Sequence, residues 1–263
     1  MSIPFTKMHG ASNDYVYLDC IINHLTFTDE QLTRLAIAVS DRHKGIGSDG
    51  LVLIMPSQKA DFRMRMFNAD GSEAQMCGNA SRCVAKYVRE HKHTTKDTIT
   101  LETLAGIKTL IIHSTGDTVT SVTVNMGQPR LTGLVGELTC VDMGNPHAVT
   151  FVDDLDSLDI NTLGPRIEHD KAFPDRTNAE FVRVLNRNEI AMRVWERGSG
   201  ETQACGTGAC AATVACINKG LTDNEVDVHL PGGILHVAWD GKDVLLTGPA
   251  QEVFTGTFKF DNK

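Results

Sequence analysis

The chain contains no Cys-x-x-Cys pair, so it offers neither a zinc ribbon nor a thioredoxin-type redox motif. No apolar run reaches the roughly 20 residues that span a bilayer. There is no dense run of Lys and Arg, and the net charge is −8. That balance excludes nucleic acid as an expected partner and gives no basic patch for a membrane surface. The opening residues MSIPFTKMHG lack the basic start and apolar block of a secretory signal. An odd number of cysteines, seven, without such a signal does not suit a secreted disulfide framework. The expected setting is the cytoplasm, with Cys20, Cys77, Cys83, Cys140, Cys205, Cys210 and Cys216 reduced.

What is present reads as alternating β and α segments without a low-complexity linker. Thr28-Asp-Glu-Gln31 has the form of a capping box, and Leu32, Leu35, Ala36 and Val39 follow at helical spacing. This helix is expected to end near His43-Lys44-Gly45. Leu51–Met55 and Arg63–Phe67 read as strands, and a second helix follows Cys77. TITLETL, IKTLIIH and TVTSVTV are strands punctuated by Gly106 and Gly116. Later, Phe181–Leu185 and Ile190–Trp195 form a strand pair, Cys205 opens a small-residue helix ending near Gly220, and strands return at 225–230, 234–239 and 244–247. Gly45-Ile-Gly-Ser-Asp-Gly50 matches Gly-x-Gly-x-x-Gly, but it follows a helix and precedes a strand. It is therefore a tight connection and not a dinucleotide-binding turn.

The second half repeats the first. A shift of 128 positions lays Met64-Arg65 on Met192-Arg193, Phe67 on Trp195, Glu73 on Glu201, Gln75 on Gln203 and Cys77-Gly78 on Cys205-Gly206. An old duplication kept for packing explains the strands and helices, but it does not explain a cysteine at the same turn twice. Each of these cysteines stands where a helix begins, among small residues. The exposed first-turn N–H groups and the helix dipole there favour a carboxylate and a thiolate. Two opposed thiols suit inversion at an α-carbon: one removes a proton from one face while the other delivers a proton to the opposite face. The developing carbanion needs preorganised donors on its carboxylate, which helix N-termini supply. A cysteine hydrolase, which pairs one Cys with one His, leaves the second turn without a use. A redox-sensing dithiol remains a rival reading. Cys83, Cys210 and Cys216 lie inside helices and read as small buried hydrophobes; Cys20 and Cys140 carry no motif.

Seven segments together resemble the diaminopimelate epimerase family over nearly the whole chain. They are Lys7-Met-His-Gly-Ala-Ser-Asn-Asp14, Arg42-His-Lys-Gly-Ile-Gly-Ser-Asp-Gly50, Phe67-Asn-Ala-Asp-Gly-Ser-Glu-Ala-Gln-Met-Cys-Gly-Asn79, Gly144-Asn-Pro-His-Ala-Val149, Trp195-Glu-Arg-Gly198, Ala204-Cys-Gly-Thr-Gly-Ala-Cys210 and Leu230-Pro-Gly-Gly233. The resemblance implies an α+β fold of two pseudo-symmetric domains, each a curled, mostly antiparallel sheet around a central helix. Residues 1–117 with 249–263 would form the half carrying Cys77, and residues 118–248 the half carrying Cys205.

The activity implied is epimerisation of LL- to meso-2,6-diaminopimelate with neither pyridoxal phosphate nor a metal. A racemase of another amino acid, such as histidine, is the nearest rival on the same fold. Residue by residue, Cys77 and Cys205 would be the acid/base thiols. The N–H groups of Gly78, Asn79, Gly206 and Thr207 would hold the reacting carboxylate. Asn13, Asn68, Asn145, Asn178 and Arg197 would form the polar wall for the distal end. Glu196 would meet a substrate ammonium, His147 would stand beside the thiols, and Phe254 would lie at a homodimer contact. Ser12 and Ala80 stand where many members have Gly, and Gly50 where some have Gln.

Overall fold

The computed structural model describes residues 1–261. The chain separates into two compact units, Met1–Val124 with Gly248–Lys263, and Asn125–Thr247. In the first, β1 (Ser2–Gly10) turns directly into β2 (Asn13–Asp19). The two linking residues, Ala11 and Ser12, both take left-handed φ, 53° and 66°. That is the two-residue hairpin turn whose twist matches its strands, usually made with Asn and Gly.

Helix α1 (Asp29–Ser40) starts with the expected capping box: the Thr28 hydroxyl accepts from Gln31 N–H, and the Gln31 side chain accepts from Thr28 N–H. Its buried stripe is Leu32, Leu35, Ala36, Val39 and Ser40. The helix stops at Ser40, earlier than the His43–Gly45 expected. The cause is Asp41, whose carboxylate accepts the N–H groups of His43 (2.8 Å) and Lys44 (2.9 Å) and turns the chain. The glycine-rich stretch that follows is a connection from helix to strand. A Cβ at Gly45 would lie 2.1 Å from the Ala38 carbonyl oxygen, so only glycine fits that turn.

The unit continues with β3 (Gly50–Met55), β4 (Phe62–Asn68), the short β5 (Glu73–Ala74), α2 (Gly78–Glu90), β6 (Thr98–Thr103), β7 (Gly106–Thr115) and β8 (Thr118–Gly127). The N-terminal unit runs to Val124, past the residue 117 expected, because β8 stays paired with β7 from Thr118 to Val124. The second unit contains β9 (Arg130–Val135), β10 (Leu138–Asp142), β11 (Pro146–Phe151), α3 (Ile160–Glu168), β12 (Asn178–Asn186), β13 (Glu189–Glu196), β14 (Gly200–Thr202), α4 (Gly206–Asn218), β15 (Glu225–Leu230), β16 (Gly233–Trp239) and most of β17 (Val244–Gly248). Strand β18 (Gln251–Lys259) returns to the first unit and pairs antiparallel with β1.

The strand pairings show the duplication more fully than the sequence shift does. In unit 1, β1–β2 is antiparallel, β2–β3 parallel, β3–β4 and β4–β5 antiparallel, β4–β6 parallel, and β6–β7 antiparallel. In unit 2 the same order recurs as β10–β11, β11–β12, β12–β13, β13–β14, β13–β15 and β15–β16. The two equivalent strands β1 and β10 gain their second neighbour differently: β18, returning from the end of the chain, lies beside β1, and β9 lies beside β10, which directly follows it.

Each curled sheet wraps one central helix. Helix α2 packs on β1, β7 and β18, and α4 on β10, β11 and β16. Residues Gly78 to Val88 of α2 are all buried, as are nearly all of α4 up to Cys216. Cys83, Cys210 and Cys216 are wholly inaccessible and pack as small hydrophobes. Arg82, also fully buried, donates to Asn79 Oδ1 (2.8 Å) and the Pro249 carbonyl (3.2 Å).

Candidate active site

In both units the cysteine is the N-cap of the central helix: Cys77 for α2 and Cys205 for α4. The first N–H groups of a helix lack intrahelical acceptors, so each thiol stands at the positive end of a dipole. The two thiols differ in their partners. Cys205 caps its own helix, accepting Gly208 N–H at 3.3 Å, and lies 3.5 Å from Thr207 Oγ1. Cys77 makes no capping bond. It donates instead to Asn13 Oδ1 (3.6 Å) and lies 3.9 Å from the Tyr15 hydroxyl.

Around Cys77, the sheet supplies the side chains. Asn13 and Tyr15 share one face of β2 by strand alternation. Asn13 Oδ1 also accepts from Asn79 Nδ2 (3.4 Å), while Asn13 Nδ2 donates to Asp49 Oδ2 (2.7 Å). Asp49 thereby fixes which end of the amide faces the thiol. Arg42 bridges Asp49 and Asp14 at 2.9 Å each, and Lys7 is ion-paired with Asp14. Burial pushes the Asp49 carboxyl up. Burial also opposes ionisation of Asp14, but hydrogen bonds from Arg42 and Lys7 hold its carboxyl below the ordinary value. Burial, and next the neighbouring Cys77, raise the Tyr15 phenol well above its ordinary range, so it stays a neutral donor. Asn68 ends β4 opposite Gly50, which is itself opposite Tyr15. Its amide donates to Ser72 Oγ at 2.9 Å.

Around Cys205 the equivalent positions carry different chemistry. Asn145, two residues before His147 as Asn13 is before Tyr15, donates to Thr207 Oγ1 at 3.4 Å. His147 Nε2 is 3.0 Å from Asn145 Oδ1, and its Nδ1 is 2.6 Å from Glu180 Oε1. Glu196 accepts from the Thr202 hydroxyl and lies beside Cys205. Burial raises the Glu196 carboxyl, and the Thr202 bond and nearby His147 only partly offset it. Burial, then Glu196 and Glu180, push the Cys205 thiol well above its ordinary value.

Asn178 is buried at the start of β12. It accepts Arg197 N–H (3.0 Å) and donates to the Pro146 carbonyl (2.8 Å), leaving one N–H and one lone pair for other partners. Arg197 donates to the Asp175 carbonyl at 3.0 Å and shares with Asn145 and His147 the wall of a cavity of about 800 Å³ within the C-terminal unit.

Thus the structure groups Asn13, Asn79 and Cys77 in one unit, and Asn145, His147, Glu196, Thr207 and Cys205 in the other. Three residues beside the thiols escaped the sequence reading. Tyr15 directly follows the Lys7–Asp14 motif and Asp49 lies inside the Arg42–Gly50 motif, but nothing in their spacing shows a partner. Glu180 had one signal: a charge inside the apolar run Ala179-Glu-Phe-Val182.

The family model described as diaminopimelate epimerase matches residues 5–132 and 139–253. A relative of that name from Agathobacter rectalis is 51% identical over 96% of this chain and 98% of its own length. Another of that name, from Bacteroides thetaiotaomicron, is 51% identical over 97% of each chain. Among solved structures, a phenazine biosynthesis protein of the PhzF family from Bacillus anthracis superposes with a TM-score of 0.76 over 99% of this chain and 100% of that one. At 18% identity it supports the fold alone. With repeated helix-capping cysteines in duplicated units and a family match running from Phe5 to Val253, the chain belongs to the diaminopimelate epimerase family.

Proposed function

We propose that the protein interconverts LL- and meso-2,6-diaminopimelate, with Cys77 and Cys205 as the two acid/base groups. The observation that carries this reading is the duplicated helix start, in which each unit offers one thiol and one set of first-turn N–H groups. In one direction a thiolate takes the α-proton and the other, protonated thiol returns a proton to the opposite face. In the reverse direction the roles exchange. The N–H groups of Gly78, Asn79, Gly206 and Thr207 hold the substrate carboxylate and stabilise charge as the α-carbon loses its proton. Glu196 takes the substrate ammonium. Asn13, Asn68, Asn145, Asn178 and Arg197 orient the distal amino-acid end. Such a product serves lysine and peptidoglycan precursor synthesis in the cytoplasm. We assign a homodimer contact to the outer face of β18, where Val253 and Phe254 are exposed and Phe254 packs edge-on against Phe5 (5.9 Å).

The test is turnover in deuterated water. LL-diaminopimelate converts to the meso form with solvent deuterium at the inverted α-carbon. Cys77→Ala and Cys205→Ala each lower turnover by at least roughly 10²–10⁴-fold, the ordinary worth of one general acid/base. Product without deuterium refutes the two-base mechanism. Turnover of histidine with none of diaminopimelate refutes the substrate.

A further inference from the structure

Glu180 is the charged residue closest to the chemistry for which the motifs supply no role. It lies in β12, one strand over from His147 in β11, and both side chains are fully buried. One carboxylate oxygen, Oε1, is 2.6 Å from His147 Nδ1; the other, Oε2, has no hydrogen-bond partner among the described residues. A carboxylate placed so deep is costly unless a cation is paired with it.

The far side of the ring also faces an oxygen. His147 Nε2 lies 3.0 Å from the amide oxygen of Asn145, whose Nδ2 is directed at Thr207 Oγ1. A carboxylate oxygen and an amide oxygen can only accept. With Glu180 ionised, both ring nitrogens face acceptors, and only a doubly protonated ring donates to both.

The same carboxylate reaches the helix start. A Cβ at Gly208 would lie 2.9 Å from Glu180 Oε1 and 3.2 Å from Cys205 Sγ, so glycine is what lets thiol and carboxylate sit on either side of one backbone position. The ionisable groups facing His147 are Asp142 from β10, Glu180 from β12 and Glu196 from β13, and the two glutamates in turn face the Cys205 thiol at the start of α4. Without the imidazolium, carboxylates alone would surround a thiol that must become an anion during turnover.

We propose that Glu180 is a positioning residue for the Cys205 acid/base: by accepting from Nδ1 it holds His147 doubly protonated, a fixed positive charge that offsets the two carboxylates, Glu180 and Glu196, flanking the Cys205 thiol. The imidazolium keeps both protons through turnover, and the proton that moves is the one on Cys205. This rests on the reading of Cys205 as an acid/base thiol.

The test has two arms. In ¹⁵N-histidine-labelled protein without substrate, with His147→Gln used to assign its signals, both ring nitrogens of His147 are protonated at neutral pH. In Glu180→Gln, which keeps the shape but not the charge, one nitrogen loses its proton. In the kinetic arm, Glu180→Gln lowers kcat by roughly 10–10²-fold, the usual cost of losing a supporting partner of a site residue, with KM little changed. Glu180→Gln added to His147→Gln costs nothing further, because the carboxylate acts through the ring. A bare ring nitrogen in the wild-type protein, or wild-type kcat in Glu180→Gln, overturns the proposal. The spectral arm reads the free protein, so it stands even if diaminopimelate proves to be the wrong substrate. If Glu180→Gln fails to fold, the wild-type spectrum decides alone.

Discussion

Gly208→Ala should separate stability from catalysis. Position 208 is the third residue of α4, where alanine is favoured over glycine by about 0.8–1 kcal/mol of helix propensity. Against this, the new methyl would meet Glu180 Oε1 at 2.9 Å and the Cβ and Sγ of Cys205 at 3.2 Å each. Ordinary contacts between such atoms begin near 3.5 Å, so the carboxylate must retreat by about half an ångström. Overpacking of this kind costs roughly 1–3 kcal/mol, which leaves a net loss of roughly 0–2 kcal/mol and a folded protein. Catalysis suffers more, since the displaced atoms are the Cys205 sulfur and the oxygen that holds His147. A misplacement of about 1 Å costs about 10²-fold, so half that distance should lower kcat by about tenfold. Thermal unfolding and steady-state kinetics on LL-diaminopimelate measure the two effects side by side. A variant with kcat within a factor of about two of wild type would refute the claim that Gly208 is glycine for the sake of the thiol and carboxylate.

Two further predictions concern stability. Burial raises the thiol of Cys216 to about 12. An unfolded thiol ionises from about pH 8.5, so above that pH the unfolded state binds fewer protons than the folded state and stability falls as pH rises. Cys216→Ala removes this dependence and should flatten the alkaline slope by about 1.4 kcal/mol per pH unit; denaturant midpoints between pH 9 and 11 giving parallel slopes would contradict it. In the first hairpin, Ser12 holds a left-handed φ of 66° without being glycine. Ser12→Gly relieves about 1–2 kcal/mol of backbone strain and gives back about 0.5–1 in unfolded-chain entropy, so urea unfolding should show a gain of roughly 0.5–1 kcal/mol. A loss would place the strain elsewhere.

Much of the fold was legible because its punctuation is local. The Thr28 capping box, the small-residue starts of α2 and α4, and the strands from Thr98 to Val124 are all readable from neighbouring residues. Helix α3 was not, because it is a nine-residue helix interrupted by Pro165. It is held by tertiary contact: a Cβ at Gly164 would lie 2.4 Å from the Trp195 ring, and Trp195 Nε1 donates to Glu168 at 2.7 Å. Strands β1 and β18 also escaped. Thr6 and Lys7 are buried within β1, which hides its alternation, and most of β18 is exposed. The two helix-capping cysteines were visible because they are repeated. Their surroundings were not, since strand pairing across tens of residues brings Tyr15 to Cys77 and Glu180 toward Cys205, Asp49 acts only through Asn13, and no spacing rule encodes register.

The strand register also explains why the duplication is unequal at its centre. Tyr15 lies opposite Gly50, and His147 lies opposite Asn178; the shift that maps Cys77 onto Cys205 also maps Gly50 onto Asn178. Tyr15 and His147 are therefore the same position in two copies, as are Asn79 and Thr207, Asn68 and Glu196, and Val52 and Glu180. The shared frame places a thiol at each helix start. The divergent residues give one thiol a neutral phenol and an amide, and the other two carboxylates with an imidazole between them. If, as proposed, each thiol serves one face of an α-carbon, the two have no need of identical partners. Once each copy kept its cysteine and its helix start, the surrounding positions were free to diverge, as Tyr15 and His147 have done.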